Sequence, residues 1–277
     1  MCASVVRPRV GVVKFASCDG CQLQLLDLED ELLALCEQFD IIEFAEATSA
    51  RSEGPFDVLF VEGSISAPEH LPRIKELREQ AKFLVTIGAC ATSGGIQALR
   101  NWGDHEAFRT AVYAHPEFVA SLATSTPIAE HVKVDAELRG CPIDPRQLTE
   151  LLTAFTTGRR PQLRDEAVCM ECKRAGNTCV MVTRHTPCLG QVTQAGCGAI
   201  CPRYGRGCYG CFGPREQANV KGLADFLQAK ARMAPADLGR LFAGFCANAE
   251  PFRSAVTQFG GTPPGVKAPV GTPGGAR

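Results

Sequence analysis

Fifteen of the 277 residues are cysteine, and eight of them fall between Cys169 and Cys211. Thiolate sulfur is a soft donor that binds zinc and iron-sulfur clusters. The eight run Cys169-x2-Cys172-x6-Cys179-x8-Cys188-x8-Cys197-x3-Cys201-Pro202-x5-Cys208-x2-Cys211. Eight is twice the four thiolates taken by one tetrahedral zinc or one 4Fe-4S cluster. The simplest partition gives Cys169, Cys172, Cys179 and Cys188 to one site and Cys197, Cys201, Cys208 and Cys211 to the other. His185, three residues before Cys188, is surplus to that count and reads as a surface histidine or one just outside the ligands.

Four further cysteines stand singly or paired at the ends of apolar runs: Cys18 and Cys21 as a CxxC, Cys90 in GACATSGG and Cys141 in RGCP. Each follows a run that reads as a strand. In a doubly wound sheet the loops beyond the strands' carboxyl ends converge, so all four would meet at one rim. Gly88, Gly94, Gly95 and Gly140 flank them and let backbone approach closely. Taken singly, Cys90 and Cys141 could be buried free thiols and the CxxC a thioredoxin-like pair. Glu62 ends a run in VEGS at the same rim. It reads either as a carboxylate near the site, serving as an occasional iron ligand or proton carrier, or as a solvated strand-end charge.

The elements that must position these residues are visible as periodicity. Runs at Val10 to Phe15, Ile41 to Phe44, Val58 to Val61, Phe83 to Ile87 and, more weakly, Val132 to Val134 are nearly unbroken by polar residues, as in strands buried on both faces. A helix is expected from about Gln22 to Phe39, where leucines repeat at three and four; Cys36 reads as core on it. A second begins near Ser66 with a Ser66/Glu69 capping box. A third starts at Asp144-Pro145 and stops at Gly158. Strands alternating with helices argue a doubly wound parallel α/β domain over residues 8–158. Residues 159–259 read as an irregular, cysteine-rich domain with a few helices, among them Val220 to Met233 and Ala236 to Phe245. Residues 260–277 read as a flexible Gly/Pro-rich tail.

Composition narrows the function classes. Lys plus Arg is 29 against 30 for Asp plus Glu, which leaves no broad cationic face for nucleic acid. No apolar run approaches a bilayer span, and the first residues carry neither a signal-peptide apolar segment nor a twin arginine. A cytoplasmic chain with reduced, metal-binding thiols is expected. Zinc in the eight-cysteine segment would leave a third four-thiolate site without purpose. Cys197-x3-Cys201-Pro202 also resembles the closing half of a bacterial ferredoxin run, in which the cysteine before proline serves the other cluster. A crossed partition therefore stays open.

ASCDGCQLQLL, FVEGSIS, IGACATSGGIQALRN, RGCPIDP and the eight-cysteine block together resemble the small subunit of nickel-iron hydrogenases, most closely the cytoplasmic, bidirectional NAD(P)-linked or sulfhydrogenase-type members. The resemblance spans Val10 to about Pro214. It implies a flavodoxin-like first domain whose Cys18, Cys21, Cys90 and Cys141 hold a proximal 4Fe-4S cluster facing a nickel-iron centre on a separate large subunit. Glu62 matches a family glutamate near that cluster. Many periplasmic relatives have a histidine where Cys169 stands and a proline in place of one medial cysteine, here Cys201. Both departures imply three 4Fe-4S clusters, with the medial and distal assignment open. Electrons would pass to diaphorase and ferredoxin-like partners that carry FAD and bind NAD(P). The family's nickel signature, two CxxC pairs with the second in DPCxxC, is missing from this sequence, so the chain is not expected to split hydrogen alone. The related respiratory NADH-quinone oxidoreductase subunit has an adjacent Cys-Cys pair in place of CDGC and no eight-cysteine extension. A stand-alone ferredoxin-like carrier and a zinc-stapled assembly adaptor are the alternatives. Cys2, Cys36 and Cys246 have no assigned role.

Overall fold

The computed structural model describes residues 7–260. The Gly/Pro-rich tail beyond Gly260 and Cys2 lie outside the described residues. Five strands, β1 (Arg9–Lys14), β2 (Asp40–Phe44), β3 (Phe56–Glu62), β4 (Ala81–Ile87) and β5 (Ala136–Leu138), form one parallel sheet in the order β2-β1-β3-β4-β5. This is the flavodoxin-like doubly wound order, whose switch point lies between β1 and β3. Twelve α-helices occur among the described residues. Six accompany the sheet: α1 (Gly20–Leu26), α2 (Asp30–Cys36), α3 (His70–Gln80), α4 (Gly88–Ser93), α5 (His105–Val112) and α6 (Pro145–Thr157). Six follow it: α7 (Val168–Arg174), α8 (Val180–Arg184), α9 (Ile200–Arg203), α10 (Val220–Ala231), α11 (Pro235–Phe242) and α12 (Phe252–Gln258). No helix among the described residues is long and apolar enough to cross a membrane.

The middles of the central strands are apolar because each side of the sheet is covered. Val12, Val58, Phe60, Val85 and Ile87 pack against Leu25 of α1 and Leu148, Leu151 and Leu152 of α6. Alternate residues Val13, Leu59, Val61 and Leu84 pack with Ile74 of α3 and Ile128. With both faces covered, the polar residues of β1, β3 and β4 stand mostly at or near the strand ends, as Lys14, Asp57, Glu62 and Lys82 do.

Three local expectations are corrected. The single helix expected from Gln22 to Phe39 is two, broken at Asp27–Glu29 with Glu29 at φ 47°. Asp27, Glu29, Asp30 and Glu31 crowd the break. Acidic residues repel one another mid-helix but suit a new N-terminus, and Asp30 and Glu31 form the first turn of α2. None of α2 is buried and Cys36 is only half-buried, so it is not core. The Ser66/Glu69 capping box does not form: α3 begins at His70, and the Ser66 backbone N–H donates to His70 Nδ1. The last strand lies at Ala136–Leu138 rather than Val132 to Val134. Asp135 sets that register, its N–H donating to the Leu84 carbonyl and its carboxylate accepting the Leu84 N–H.

The third helix stands as expected. The Asp144 side chain accepts the Arg146 N–H, Pro145 occupies the first turn and Gly158 closes the helix at φ 66°. Past it, the cysteine-rich segment does not rely on its own apolar residues. Val168, Leu189 and Val192 share a core with Leu223, Leu227, Leu238, Phe242, Phe252 and Val256 of α10–α12. That core reaches the first domain at Ala89 of α4, directly after β4.

Asp144→Ala removes the cap of the helix that covers one sheet face and should lower stability by about 1 kcal/mol. A urea-denaturation midpoint measured against the unaltered chain checks this.

Candidate metal centres

Cys18, Cys21, Cys90 and Cys141 all lie past the carboxyl ends of strands, as the sheet topology requires. Cys18 follows β1, Cys21 lies in the first turn of α1, Cys90 is in α4 directly after β4, and Cys141 follows β5. Two bonds draw the loops together: the Ala89 N–H donates to the Gly140 carbonyl at 2.7 Å and the Phe15 N–H to the Glu62 carbonyl at 2.8 Å. At Gly88, φ 82°, a Cβ would fall 2.3 Å from Cys21 Sγ; at Gly95, φ 68°, one would fall 2.7 Å from Cys90 Sγ. Glycine is therefore what leaves room for the sulfurs.

Burial raises the Cys21 thiol well above its ordinary range, and Glu62, Cys90 and Cys141 push it further. Cys90 is pushed up to about 11 by burial, with Cys141, Cys18 and Glu62 adding repulsion. Cys141 is raised by burial and by Cys18 and Glu62. These sulfurs face one another; Cys18 is the exposed member.

Glu62 is 1% exposed, so it is not a solvated strand-end charge. Its Oε1 accepts the Cys21 N–H at 3.1 Å and its Oε2 accepts from Gln22 Nε2 at 2.8 Å. The carboxylate buckles β3 to the turn carrying the CxxC, and burial raises its pKa. Gln97 acts similarly: Nε2 donates to the Ala16 carbonyl at 2.7 Å, and the Cys90 thiol donates to Oε1 at 3.6 Å.

The eight later cysteines fall in two sets along the chain, and Cys201 faces Cys188 across them. Cys169 and Cys172 lie on α7, Cys179 precedes α8 and Cys188 follows it. Cys169 is pushed up to about 11 by burial and then by Cys188, Cys172 and Cys179. Cys172 is raised by burial and by Cys188 and Cys179. A Cβ at Gly190 would meet Cys188 Sγ at 3.4 Å and Cys169 Sγ at 3.6 Å, so two sulfurs converge on one spot. In the other group, Cys211 is pushed up to about 12 by burial and then by Cys197. Burial also raises Cys197, with Cys201 adding to it, and Cys208, with Cys188 and then Cys211 adding to it.

The groups abut in an order that differs from the order of the chain. Cys141 adds to the rise of the Cys211 thiol, which puts the rim cysteines beside Cys211. The Cys208 N–H donates to Cys188 Sγ at 3.1 Å, joining the Cys197 group to the Cys169 group. The two exposed sulfurs of the twelve, Cys18 and Cys179, belong to the first and last groups of this series. His185 caps α8 at φ 52° and is exposed, apart from the sulfurs.

Among the described residues, no three His, Cys, Asp or Glu side chains close around a point as a single metal ion requires. Zinc at about 2.3 Å from each sulfur would draw four thiolates within about 3.8 Å of one another. A cubane binds each thiolate to a different iron and takes them farther apart. Four cysteines at the rim and eight beyond it match the ligand count of three four-thiolate sites.

The sequence reading missed Cys246. It is fully buried, pushed up to about 12, and its thiol donates to the Cys211 carbonyl at 3.6 Å while facing Ser93, Cys141 and Cys90. Nothing local marks it, because it reaches the junction of two groups from the turn before α12. Gln97 was missed for a related reason: its partners lie on three separate segments.

Residues 18–155 match the family described as NADH ubiquinone oxidoreductase, 20 Kd subunit. Over 220 residues the chain is 38% identical to the sulfhydrogenase 2 subunit delta of Pyrococcus furiosus, covering 79% of this chain and 92% of that protein. It is 33% identical over 243 residues to a subunit of the F420-non-reducing hydrogenase of Methanocaldococcus jannaschii, covering 76% of this chain and 83% of that protein. A solved NAD+-reducing nickel-iron hydrogenase in the H2-reduced state superposes with a TM-score of 0.53 at 29% identity, over 57% of this chain and 96% of that one.

Gly88→Ala forces a methyl group onto Cys21 Sγ at a backbone angle alanine disfavours. It should lower iron bound per chain by about four, the content of one cubane, with the other groups retained. Iron analysis of anaerobically reconstituted variant and unaltered protein checks this.

Proposed function

The chain belongs to the small-subunit family of nickel-iron hydrogenases, and from that membership we infer that it relays electrons through three 4Fe-4S clusters. They would run between a hydrogen-activating large subunit and a flavin-containing partner that reduces NAD(P). The observation that supports the inference is the run of neighbouring cysteines from the exposed Cys18 at the rim through Cys141, Cys211, Cys208 and Cys188 to the exposed Cys179. We assign the first cluster to Cys18, Cys21, Cys90 and Cys141, the next to Cys197, Cys201, Cys208 and Cys211, and the last to Cys169, Cys172, Cys179 and Cys188. Residues 8–158 then form the domain of the first cluster and 159–259 the domain of the other two.

When bound, each cluster takes up or releases one electron at a time. The chain's own residues supply the rest. Glycine backbone at Gly88 and Gly95 admits the sulfurs closely. The Gly210 N–H donates to Cys208 Sγ at 3.5 Å, and the Cys208 N–H to Cys188 Sγ. Such donors stabilise negative charge on sulfur and favour the reduced form. Glu62 and Gln97 lock the rim loops against the sheet.

The large subunit, with its nickel-iron centre, is proposed to cover the first rim. Leu23, Ile96, Leu99 and Phe108 are exposed there. Ile96 and Leu99 flank Gln97, the partner of Cys90, and an apolar patch beside a functional rim suits a protein partner. A diaphorase partner with FAD accords with the NAD+-reducing relative, and a cytoplasmic setting with reduced thiols.

Cys90→Ser in the assembled complex should leave hydrogen–deuterium exchange on the large subunit intact. Hydrogen-dependent NAD(P) reduction should fall by at least about tenfold. An assembled variant that reduces NAD(P) at the unaltered rate would contradict the relay.

A further inference from the structure

Glu171 lies between Cys169 and Cys172 on α7, yet its carboxylate serves the neighbouring group. It is 7% exposed. Its Oε1 accepts the N–H of Gly196, the residue immediately before Cys197, at 3.1 Å, and its buried Oε2 has no partner. Gly196 is gripped from the other side as well. A Cβ there would fall 1.9 Å from Gln147 Nε2, itself buried without a partner, and Arg146 donates to the Gly196 carbonyl at 3.4 Å.

A buried carboxylate with one oxygen unpartnered costs stability. If Glu171 only anchored the Gly196 N–H, a neutral amide would do so at lower cost, so its charge is the feature that needs a purpose. Two guanidiniums face the carboxylate. Arg174 is bound to Glu166, and Arg146 to Asp144 at 2.8 Å. Arg146 faces Cys197 as well. Burial raises the Cys197 thiol, and the Glu171 carboxylate adds to it. Negative charge beside a redox group disfavours its reduced, more negative form, and low local dielectric strengthens the effect.

We propose that Glu171 is the potential-setting residue of the middle group. It is a fixed carboxylate, mounted on the helix of the Cys169 group and aimed at the Cys197 loop, that lowers the reduction potential of the cluster held by Cys197, Cys201, Cys208 and Cys211. This rests on the cluster assignment above. The step it tunes is the gain of one electron by that cluster, with no bond made or broken. Arg146, exposed on the far side of Gly196, opposes it.

The test is an EPR-monitored titration of the anaerobically purified complex, with dithionite as the electron donor. Glu171→Gln keeps an oxygen to accept the Gly196 N–H and removes the charge. At a fixed potential it should raise the ratio of reduced to oxidised middle cluster by roughly tenfold, about 59 mV for one electron. Glu171→Asp should restore most of the original value, and the cluster of Cys18, Cys21, Cys90 and Cys141 should not move. Arg146→Gln, a surface change that does not threaten folding, should move the middle cluster the opposite way by a smaller amount. A Glu171→Gln complex with its full iron content and unmoved midpoints would overturn the inference while leaving the cluster assignment standing. So would an Arg146→Gln complex whose middle midpoint rises or stays put. Absence of any iron-sulfur signal in the unaltered complex would overturn the cluster assignment and this inference with it.

Discussion

Thiolates packed together inside a protein repel one another, and burial withholds the water that would stabilise them. Nine of the twelve cysteines feel both effects. Cys90 and Cys169 are pushed up to about 11, Cys211 to about 12, and Cys21 and Cys208 also rise. At neutral pH such thiols remain protonated unless a cation lies among them. Metal loading and the native arrangement of these groups are therefore one equilibrium. The glycines at the sulfurs, the buckle at Glu62 and the N–H donors to Cys188 and Cys208 are arrangements for holding ionised sulfur close together.

The two halves of the described chain meet this constraint differently. The flavodoxin-like sheet is stable through its two covered faces, and its switch-point topology brings Cys18, Cys21, Cys90 and Cys141 to one rim from distant segments. The later cysteines come from short helices and turns whose core is completed by α10–α12. Contacts join the halves at Ala89 in the shared core, at Cys141 against Cys211, and at Cys246 beside both. Gly196, held by Glu171, Gln147 and Arg146, ties α6 to the Cys197 loop at a second place.

Features set by neighbours in sequence were readable before the structure. Asp144-Pro145 and Gly158 bound α6 because capping is local, and the unbroken apolar runs marked β1 to β4 because both faces are covered. Readings failed where tertiary demands overrode a local pattern. The leucine repeat ran through an acidic break, Ser66 was engaged by His70 rather than by a helix end, and Val132 and Val134 packed on a core without joining the sheet. At the candidate centres, type and count single out twelve cysteines as candidate ligands. Which cysteines face one another, including Cys201 and Cys208 against Cys188, and the parts played by Gln97, Cys246 and Glu171 depend on contacts between segments far apart in the chain.

The central claim is that twelve buried or rim-set sulfurs hold iron as three cubanes. Mössbauer spectroscopy of iron-57-labelled protein, purified without oxygen and paired with zinc and inorganic sulfide analysis, tests it most directly. The account predicts about twelve irons per chain, all in sulfur-coordinated four-iron clusters with matching sulfide and no stoichiometric zinc. Zinc without sulfide, or iron in fewer than three such clusters in fully loaded protein, would contradict it.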